Sequence, residues 1–276
     1  MKIKRILATV LAIAMLASFI SVPVFAEEAV PMLISTAFGE GYICEDLGIL
    51  IGPDENGVTE DYLDTLAMRT QAAMVNLRLF GLESEALAFE GTETFADAAL
   101  ATEYWQPILE YLKANPGLGW VGDENGNFLP NDYITGQAFT KILLVALGYE
   151  YGLYFDWETT MDFAAEIGMT ALAEKADDDL TVRDIAVAIF EALGLKTTGP
   201  TDVTLITQLV LDGVIDEAAA VAAGFEVEEP TLVIINAYAS AVDEVTVLTS
   251  MEIPDGTPIS LKKGTAGYVA VEVVDG

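Results

Sequence analysis

Three stretches of the chain share one hydrophobic pattern, and each ends in a glycine thirteen residues after it begins. They cover residues 68–81, 135–148 and 181–194. Within each stretch, apolar side chains recur at i, i+3, i+4, i+7 and i+8, the spacing that aligns them along one face of an α-helix. Asn76 is the one polar residue on this face. The pattern predicts three amphipathic helices with equivalent buried faces, formed in the second stretch by Phe139, Ile142, Leu143, Ala146 and Leu147.

The residues that flank these helices are typical of helix ends. Thr181 is followed three residues later by Asp184, which fits a capping box, and Thr135 is expected to cap the second helix. Met68 cannot cap through its side chain, so the first helix is expected to begin earlier, near residues 60–61. The closing glycines are expected in the left-handed conformation that glycine adopts readily at a helix C-terminus.

A second helical segment precedes each of these helices. The clearest covers residues 102–113, where Tyr104 lies on the predicted apolar face and Pro107 suits the first turn. Residues 156–169 take this place before the third helix, and residues 32–51 before the first. The repeating unit is therefore a helix, a turn and a second helix. Since one such pair cannot bury its apolar face alone, we expect the three units to pack together.

The pattern changes after the third repeat. Residues 203–213 and 216–224 predict short helices, and three β-branched runs then indicate strands. The predicted fold is mainly α, with three packed helix-turn-helix repeats, a helical linker over residues 198–230 and a β-rich segment over residues 231–276. Three strands are too few for a complete sandwich. This last segment is interpreted as a truncated immunoglobulin-like domain or as a small sheet that packs on the helices.

The first 26 residues are typical of a secretory signal peptide. A basic start at Lys2, Lys4 and Arg5 precedes an almost wholly apolar stretch over residues 6–20, and small residues precede Glu27. The alternative, a retained membrane anchor, is disfavoured because the apolar stretch is short for a membrane span. The sequence therefore predicts a secreted protein that does not contact the membrane after the signal is cleaved.

Charge and composition disfavour several classes of function. The 12 Lys and Arg minus the three of the signal leave 9 against 44 Asp and Glu, so the net charge becomes −35. Such a chain is not expected to bind nucleic acid, because binding requires several basic residues on one face of the protein. Histidine is absent, which excludes histidine-based catalytic triads and histidine-ligated zinc. Cys44 is the only cysteine and is expected to be buried. No catalytic site or cofactor motif is recognisable, so the chain is predicted not to be an enzyme.

Two other patterns have both a structural and a functional interpretation. Residues 123–127 carry several oxygen-bearing side chains, but the glycine falls at the fourth rather than the sixth position of a calcium loop, and the twelfth position is Ile134 instead of an acidic residue. We interpret them as a solvated turn and predict no metal site, although weak calcium binding by the acidic surface as a whole stays open.

Trp105, Trp120 and Trp157 are candidates to stack on sugar rings. Trp105 is expected in the core, whereas Trp120, close to two glycines, is the better candidate for a groove wall.

The second repeat resembles the S-layer homology repeat, a module that holds bacterial surface proteins on the cell wall. The resemblance rests on Phe95-Ala96-Asp97, Trp105, the glycine turn over residues 125–130, Ile134-Thr135 and the closing Leu147-Gly148-Tyr149. The first and third repeats match through the helix and its spacing, and the third lacks the glycine turn. Within the repeat region 27–197, the repeats cover about residues 33–82, 95–149 and 156–196.

The resemblance implies a compact spindle of three repeats with approximate threefold symmetry. In the family, the helices line grooves that bind a secondary cell-wall polysaccharide, commonly one with acidic pyruvyl groups. The predicted glycan-binding residues are the helix-start residues together with the tryptophan of the turn: Arg69, Gln71, Trp120, Thr135, Gln137, Thr181, Arg183 and Asp184.

The helix starts depart from the Thr-Arg-Ala-Glu sequence of the family. Only the first helix keeps the arginine in register, at Arg69, because Gly136 and Val182 occupy the equivalent positions. An arginine fork binds a carboxylate or sugar oxygens in two parallel hydrogen bonds, which glycine and valine cannot do. We therefore expect one competent groove, at Arg69, with Arg183 as a displaced substitute.

The charge of the three helices supports an anionic ligand. Their net charge is +2 in a strongly acidic chain, from Arg69, Arg78, Lys141 and Arg183 against Asp184 and Glu191. Burial alone would deplete acidic and basic residues equally, whereas these helices contain more basic than acidic residues. A local reversal of charge is what an anionic ligand requires on such a protein.

The leading hypothesis is non-covalent anchoring of a secreted protein to the bacterial cell wall through three degenerate repeats. The expected location is the cell surface or S-layer, and the expected partner is the secondary polysaccharide, with other protomers of the surface layer as a further partner. The first alternative is a structural assembly module that has lost glycan binding. The second is that the chain is the N-terminal part of a longer extracellular enzyme.

Overall fold

The computed structural model describes residues 4–7, 39–199, 201–229, 234–241, 244–249, 259–262 and 268–274. Within these residues the chain is mainly helical. It divides into two compact units. The helical unit contains Met32–Gly199 and Val203–Glu229, and the sheet unit contains Met1–Pro31, Pro200–Asp202 and Pro230–Gly276.

The described part of the helical unit contains ten α-helices and three short 3₁₀ helices. The α-helices are α1 Glu40–Asp46, α2 Glu60–Leu63, α3 Arg69–Leu79, α4 Glu83–Leu87, α5 Gln106–Ala114, α6 Gly136–Ala146, α7 Thr160–Glu166, α8 Val182–Leu193, α9 Leu205–Leu211 and α10 Glu217–Ala222. The 3₁₀ helices cover Ala98–Leu100, Glu103–Trp105 and Pro116–Leu118. Among the described residues, no helix combines the length and the apolar character that a membrane span requires.

The second and third predicted helices begin at their predicted caps. Before α8, Thr181 Oγ1 accepts from Asp184 N at 3.2 Å and Asp184 Oδ2 accepts from Thr181 N at 3.0 Å, which confirms the capping box. Before α6, Thr135 Oγ1 accepts from Ala138 N at 3.4 Å. Each cap satisfies an N–H group that the helix itself leaves unpaired, worth about 1 kcal/mol.

The first helix does not begin near residue 60, and that prediction is wrong. The helix that starts there, α2, ends at Leu63, and α3 begins separately at Arg69. Met68 has no side-chain cap, but Gln71 Oε1 accepts from Met68 N at 2.8 Å. Gln71 therefore makes the same return bond to the cap residue that Asp184 makes in α8.

The closing glycines behave differently in the three helices. Gly81 and Gly148 have φ of 67° and 92°, the predicted left-handed conformation. Gly194 has φ of −85°, so the prediction is wrong there. The turn after α8 is closed instead by a bond from Gly194 N to Glu191 O at 3.1 Å.

The helical segments that precede α3, α6 and α8 are α1, α5 and α7. Pro107 occupies the first turn of α5 as predicted, because its missing N–H is one that a helix start leaves unpaired. Tyr104 does not lie on a buried face, since its ring is exposed in the short 3₁₀ turn before α5. The predicted helices after the third repeat are confirmed as α9 and α10, which belong to the helical unit.

A closed ring of backbone hydrogen bonds joins the segments that lead into α3, α6 and α8. Ala67 N donates to Leu180 O at 2.8 Å, Leu180 N to Ile134 O at 2.9 Å and Ile134 N to Ala67 O at 3.0 Å. These three residues stand at the same position, one before each helix cap, and all are fully buried. A second set of three bonds joins the same segments next to this ring. In it, the N–H groups of residues 69, 136 and 182 donate to the carbonyl oxygens of residues 132, 178 and 65, respectively.

The apolar faces of the helices form one core. Helix α6 packs against α3 and α8, and α1 packs against α8. Cys44 is fully buried as predicted, with its Sγ 3.6 Å from Ala186 O. Asn76, the one polar residue on a predicted apolar face, is also fully buried, and its Oδ1 accepts from Trp120 Nε1 at 3.0 Å. Its amide oxygen therefore has a structural partner in the core, whereas its buried Nδ2 forms no hydrogen bond with the described residues.

The strands of the sheet unit form a five-stranded sheet in the order β2-β3-β1-β5-β4. They are β1 Lys4–Leu7, β2 Ile234–Ala241, β3 Glu244–Thr249, β4 Ile259–Lys262 and β5 Tyr268–Val274, and neighbouring strands are antiparallel. The sequence predicted β2, β3 and β5 but neither β1 nor β4.

Strand β1 lies inside the predicted signal peptide. It pairs with β3 and with β5, so it stands between two antiparallel hairpins, β2-β3 and β5-β4. The other residues of the predicted signal lie outside the described residues, and its cleavage stays a prediction. Cleavage before Glu27 would remove β1 and leave the edges of β3 and β5 without this partner.

Candidate ligand-binding site

Four of the eight predicted site residues use their side chains to hold the helix starts. The hydroxyls of Thr135 and Thr181 are helix caps, and Asp184 and Gln71 make the return bonds. Asp184 also pairs with Lys175. These groups therefore already have hydrogen-bond partners within the fold.

Trp120 does not form a groove wall, and this prediction is corrected by its burial. Only 3% of its surface is exposed, and its Nε1 donates to Asn76. The indole packs 5.4 Å from the ring of Phe128. The neighbouring glycines allow a tight turn beside the indole, but the ring itself points into the core.

The two helix starts that lack arginine are closed by packing. A Cβ built on Gly136 would lie 2.0 Å from the carbonyl oxygen of Lys175, so no side chain fits there. Gly136 N and Gln137 N also donate to the carbonyl oxygens of residues 178 and 176. Val182 is 2% exposed and belongs to the core. Neither Gly136 nor Val182 can therefore present a side chain to a ligand at the position of the arginine.

Arg183 is not available as a substitute for the missing arginine. Its Nε and Nη2 donate to Asp64 Oδ1 at 3.0 and 2.9 Å, and Nη2 donates to Glu60 Oε2 at 2.7 Å. These two carboxylates raise the pKa of Arg183, with their hydrogen bonds as the main cause. The guanidinium is therefore neutralised by Glu60 in α2 and by Asp64, the residue that follows α2.

The remaining charges of the three helices separate into paired and unpaired groups. Arg78 donates from Nε and Nη2 to both carboxylate oxygens of Glu83, each at 2.9 Å. Glu191 accepts from the N–H groups of residues 170 and 171. Within the described residues, Arg69 and Lys141 form no ion pair with a carboxylate. The positive charge that the sequence indicated is therefore concentrated on these two side chains.

Arg69 is held between the first and second repeats. Its Nε donates to Phe128 O at 2.8 Å, and its guanidinium carbon lies 5.5 Å from the ring centre of Phe128 and 5.7 Å from that of Trp120. Burial lowers the pKa of Arg69, an effect opposed by Asp132, Asp97 and Asp123. The terminal nitrogens form no hydrogen bond with the described residues, which leaves two parallel donors for a ligand.

Lys141 is the second unpaired cation, and the sequence interpretation did not include it among the site residues. It lies on α6 with 9% of its surface exposed, and its Nζ is 4.6 Å from the ring centre of Tyr151. Burial, reinforced by the charge of Arg69, lowers the pKa of Lys141 to about 8. A lysine as the only charged residue of a long amphipathic helix was the signal that could have identified it.

A cleft of 360 Å³ lies beside another face of α3. Gln71 and Arg78 supply polar groups, while Tyr62, Tyr104 and Trp105 supply aromatic rings. Tyr104 and Trp105 meet edge to face at 5.2 Å, and both are at least partly accessible. Trp105, expected in the core, therefore has a better position for contact with a ligand than Trp120.

The turn of the second repeat is organised by two aspartates. Asp97 accepts from Phe128 N and Leu129 N at 2.7 and 2.8 Å, and Asp123 accepts from the N–H groups of Asn125 and Asn127, both at 2.8 Å. Hydrogen bonds from Asn127 and Asn125 lower the pKa of Asp123. In the part of the chain that the structure describes, no cluster of three or more acidic, cysteine or histidine side chains is arranged to hold a metal ion.

Comparison of the chain with models of known protein families finds no match, and no curated protein matches it. The resemblance to the S-layer homology repeat therefore rests on the sequence motifs of the second repeat and stays a prediction.

Proposed function

We propose that the chain anchors a secreted bacterial protein to the cell wall by binding a wall polysaccharide through its helical unit. The equivalent positions of α3, α6 and α8 around the backbone ring support three repeats about a pseudo-threefold axis, as in an S-layer homology spindle. After cleavage of the signal, β2 to β5 would belong to a partial immunoglobulin-like domain that follows the helical unit in the sequence. This assignment makes the chain a binding module of the cell surface rather than an enzyme.

Arg69 carries the proposal. Its guanidinium is partly buried, unpaired and fixed at Nε by Phe128 O, and it begins the one helix that keeps the arginine of the family pattern. The contacts with Phe128 and Trp120 restrict the side chain, so little side-chain entropy is lost when a ligand binds. Two parallel bonds from such a fork to a carboxylate or to sugar oxygens are charge-assisted and directional.

Retention on purified cell-wall sacculi tests this role. The full chain should be retained by sacculi that keep their secondary polymer and not by sacculi from which it was stripped. Arg69→Ala should weaken retention by about tenfold or more, the effect of losing one charge-assisted bond. Arg183→Ala is the matched control, because that arginine is occupied by Glu60 and Asp64, and it should bind like the wild type. Unchanged retention of a folded Arg69→Ala chain would refute the assigned role.

A structural assembly module is the second candidate function. It is favoured by the closure of two of the three helix starts, at Gly136 and Val182, and by the pairing of Arg183 with acids. In this case the chain would form ordered sheets or oligomers in the absence of wall polymer. Sedimentation and electron microscopy of the purified chain, combined with polymer-independent behaviour on sacculi, would favour this alternative over anchoring.

A further inference from the structure

Lys141 is a buried cation that the fold does not neutralise. Its surface is 9% exposed, and within residues 39–199 and 201–229 its ammonium forms no hydrogen bond or ion pair. The nearest charge that affects it, Arg69, has the same sign. Burial of an ammonium beside a second cation is unfavourable unless an anion accompanies it. Groups kept in such an environment are candidates for binding sites.

The outer wall of this position is an aromatic loop, residues 149–157. Lys141 Nζ lies over the ring of Tyr151, near one end of the loop. Gln137, one helical turn before Lys141, donates from Nε2 to the carbonyl oxygen of Trp157 at the other end. Residues four apart lie on the same face of a helix. The Tyr151 ring and the ammonium therefore lie together on one face of α6, and the backbone of Trp157 is held one helical turn away.

The aromatic loop is supported from below. Phe155 is buried and stacks on Phe163 at 5.6 Å with the planes 9° apart, and Tyr151 meets Phe155 edge to face at 5.5 Å. Gly152 turns the chain with φ of 85°, and its N–H donates to Phe155 O at 2.7 Å. Tyr151 and Trp157 nevertheless remain 37% and 44% exposed. The loop thus presents aromatic surface that is fixed in position and open to solvent.

A sugar with one acidic substituent fits this combination of groups. Aromatic rings with a polar edge pack against the apolar face of a sugar while they keep contact with water. A carboxylate on that sugar would supply the negative charge that Lys141 lacks. Exposed acids in and beside the loop, Glu150, Asp156 and Glu158, disfavour a ligand of high negative charge density such as nucleic acid.

We propose that Lys141 and Tyr151 form a subsite for an acidic sugar unit. The carboxylate binds Lys141, and the sugar ring packs on the aromatic loop. The inference rests on the proposed function for the source of this sugar, a wall polymer, but binding to the subsite can be measured with a free sugar.

Glucuronic acid is the probe, and glucose is its neutral counterpart with the same ring. Each is added at millimolar concentration to the full chain, and binding is followed by tryptophan fluorescence and by the midpoint of thermal unfolding. Glucuronic acid should raise the midpoint, because a ligand that binds only the folded chain stabilises it. Glucose should bind more weakly. Lys141→Met should lower the affinity for glucuronic acid by about tenfold or more and leave the response to glucose unchanged.

Three further variants separate the charge from its surroundings. Lys141→Arg keeps the charge and should keep the preference for the acidic sugar. Lys113→Met is the matched control, because its ammonium also lies over an aromatic ring, 5.1 Å from the centre of Phe95, and it should leave both responses unchanged. Tyr151→Ala should weaken both sugars, since it removes the stacking surface.

Equal responses of the wild type to the two sugars would overturn the inference, as would an unchanged affinity for glucuronic acid in Lys141→Met. A chain that binds glucuronic acid through Lys141 but is not retained on sacculi would support the subsite and contradict wall anchoring. A chain that is retained through Arg69 but does not distinguish the two sugars would support anchoring and contradict the subsite.

Discussion

Replacement of Lys141 by methionine is expected to stabilise the helical unit. Methionine keeps most of the apolar stem and removes the buried ammonium. Burial, together with the charge of Arg69, lowers the pKa of Lys141 to about 8 from the ordinary 10.5. Since one pKa unit corresponds to about 1.4 kcal/mol, the charged lysine destabilises the folded chain by about 3 kcal/mol at most. We expect Lys141→Met to raise the free energy of unfolding by about 1–3 kcal/mol at neutral pH.

This gain should depend on pH in a defined direction. Below about pH 8, Lys141 is charged in both the folded and the unfolded chain, and the full destabilisation applies. Between about 8 and 10.5, the folded chain loses the proton first, so the unfolded chain holds more protons and the stability of the wild type gains with rising pH. The advantage of Lys141→Met should therefore shrink by about 2 kcal/mol between about pH 7 and about pH 9.5.

Urea unfolding followed by tryptophan fluorescence measures this difference. The three tryptophans, Trp105, Trp120 and Trp157, all lie in the helical unit and report on it. Burial also raises the pKa of Cys44 to about 12, which adds its own pH dependence, but this contribution is shared by both chains and cancels in the difference. A Lys141→Met chain that is less stable than the wild type at neutral pH, or a difference that stays constant with pH, would refute the reasoning.

Three further predictions concern the framework around the site. Gly136→Ala should destabilise the chain by about 2 kcal/mol or more in urea unfolding, because its Cβ meets backbone, whereas Gly117→Ala, with open space around it, should have little effect. The thiol of Cys44 should not react with an aromatic disulfide reagent until the chain is unfolded by denaturant. Asp97→Ala should lower the free energy of unfolding by about 2 kcal/mol, since it removes the acceptor of two N–H groups; an unchanged midpoint would contradict this.

The starts of the long helices could be predicted because their signals are local. A threonine cap, its return partner three residues later and the apolar spacing all lie within a few turns of the same helix. The gap between α2 and α3 could not be predicted in this way. Ala67 is held by Leu180 and Ile134, which lie far along the chain, and these bonds keep the segment extended. Tertiary hydrogen bonds thus hold extended a segment that the missing side-chain cap at Met68 had suggested was helical.

The candidate site could be predicted only in part, for a similar reason. Arg69 was identified from its register within the repeat. The pairing of Arg183 was not, since Glu60 and Asp64 precede it by 123 and 119 residues. Whether a basic residue is free or neutralised depends on partners brought close by the fold, which spacing within one helix does not reveal.

Trp120 illustrates a different limit of the sequence. Its nearby glycines indicated a turn, and turns lie at the surface in most proteins. The fold instead buries the indole, and Asn76 on α3 accepts its N–H. The same contact explains why a polar residue stands on the apolar face of α3. A buried tryptophan beside a turn and an asparagine on an apolar helix face are both unexpected from the sequence, and the hydrogen bond between them explains the two positions together.

The backbone rings also explain why the three helix starts diverge in sequence. All three make the same main-chain bonds, so the ring places no demand on the side chain that follows each cap. The side chain at this position is instead determined by its surroundings. Gly136 has backbone against it at Lys175 O and Val182 is buried in the core, whereas Arg69 packs against two aromatic rings. A wall polymer would therefore bind through one strong contact and its neighbours rather than through three equal ones. Attachment by a single chain would lack the gain from multivalency, and tight retention would require several chains on one polymer.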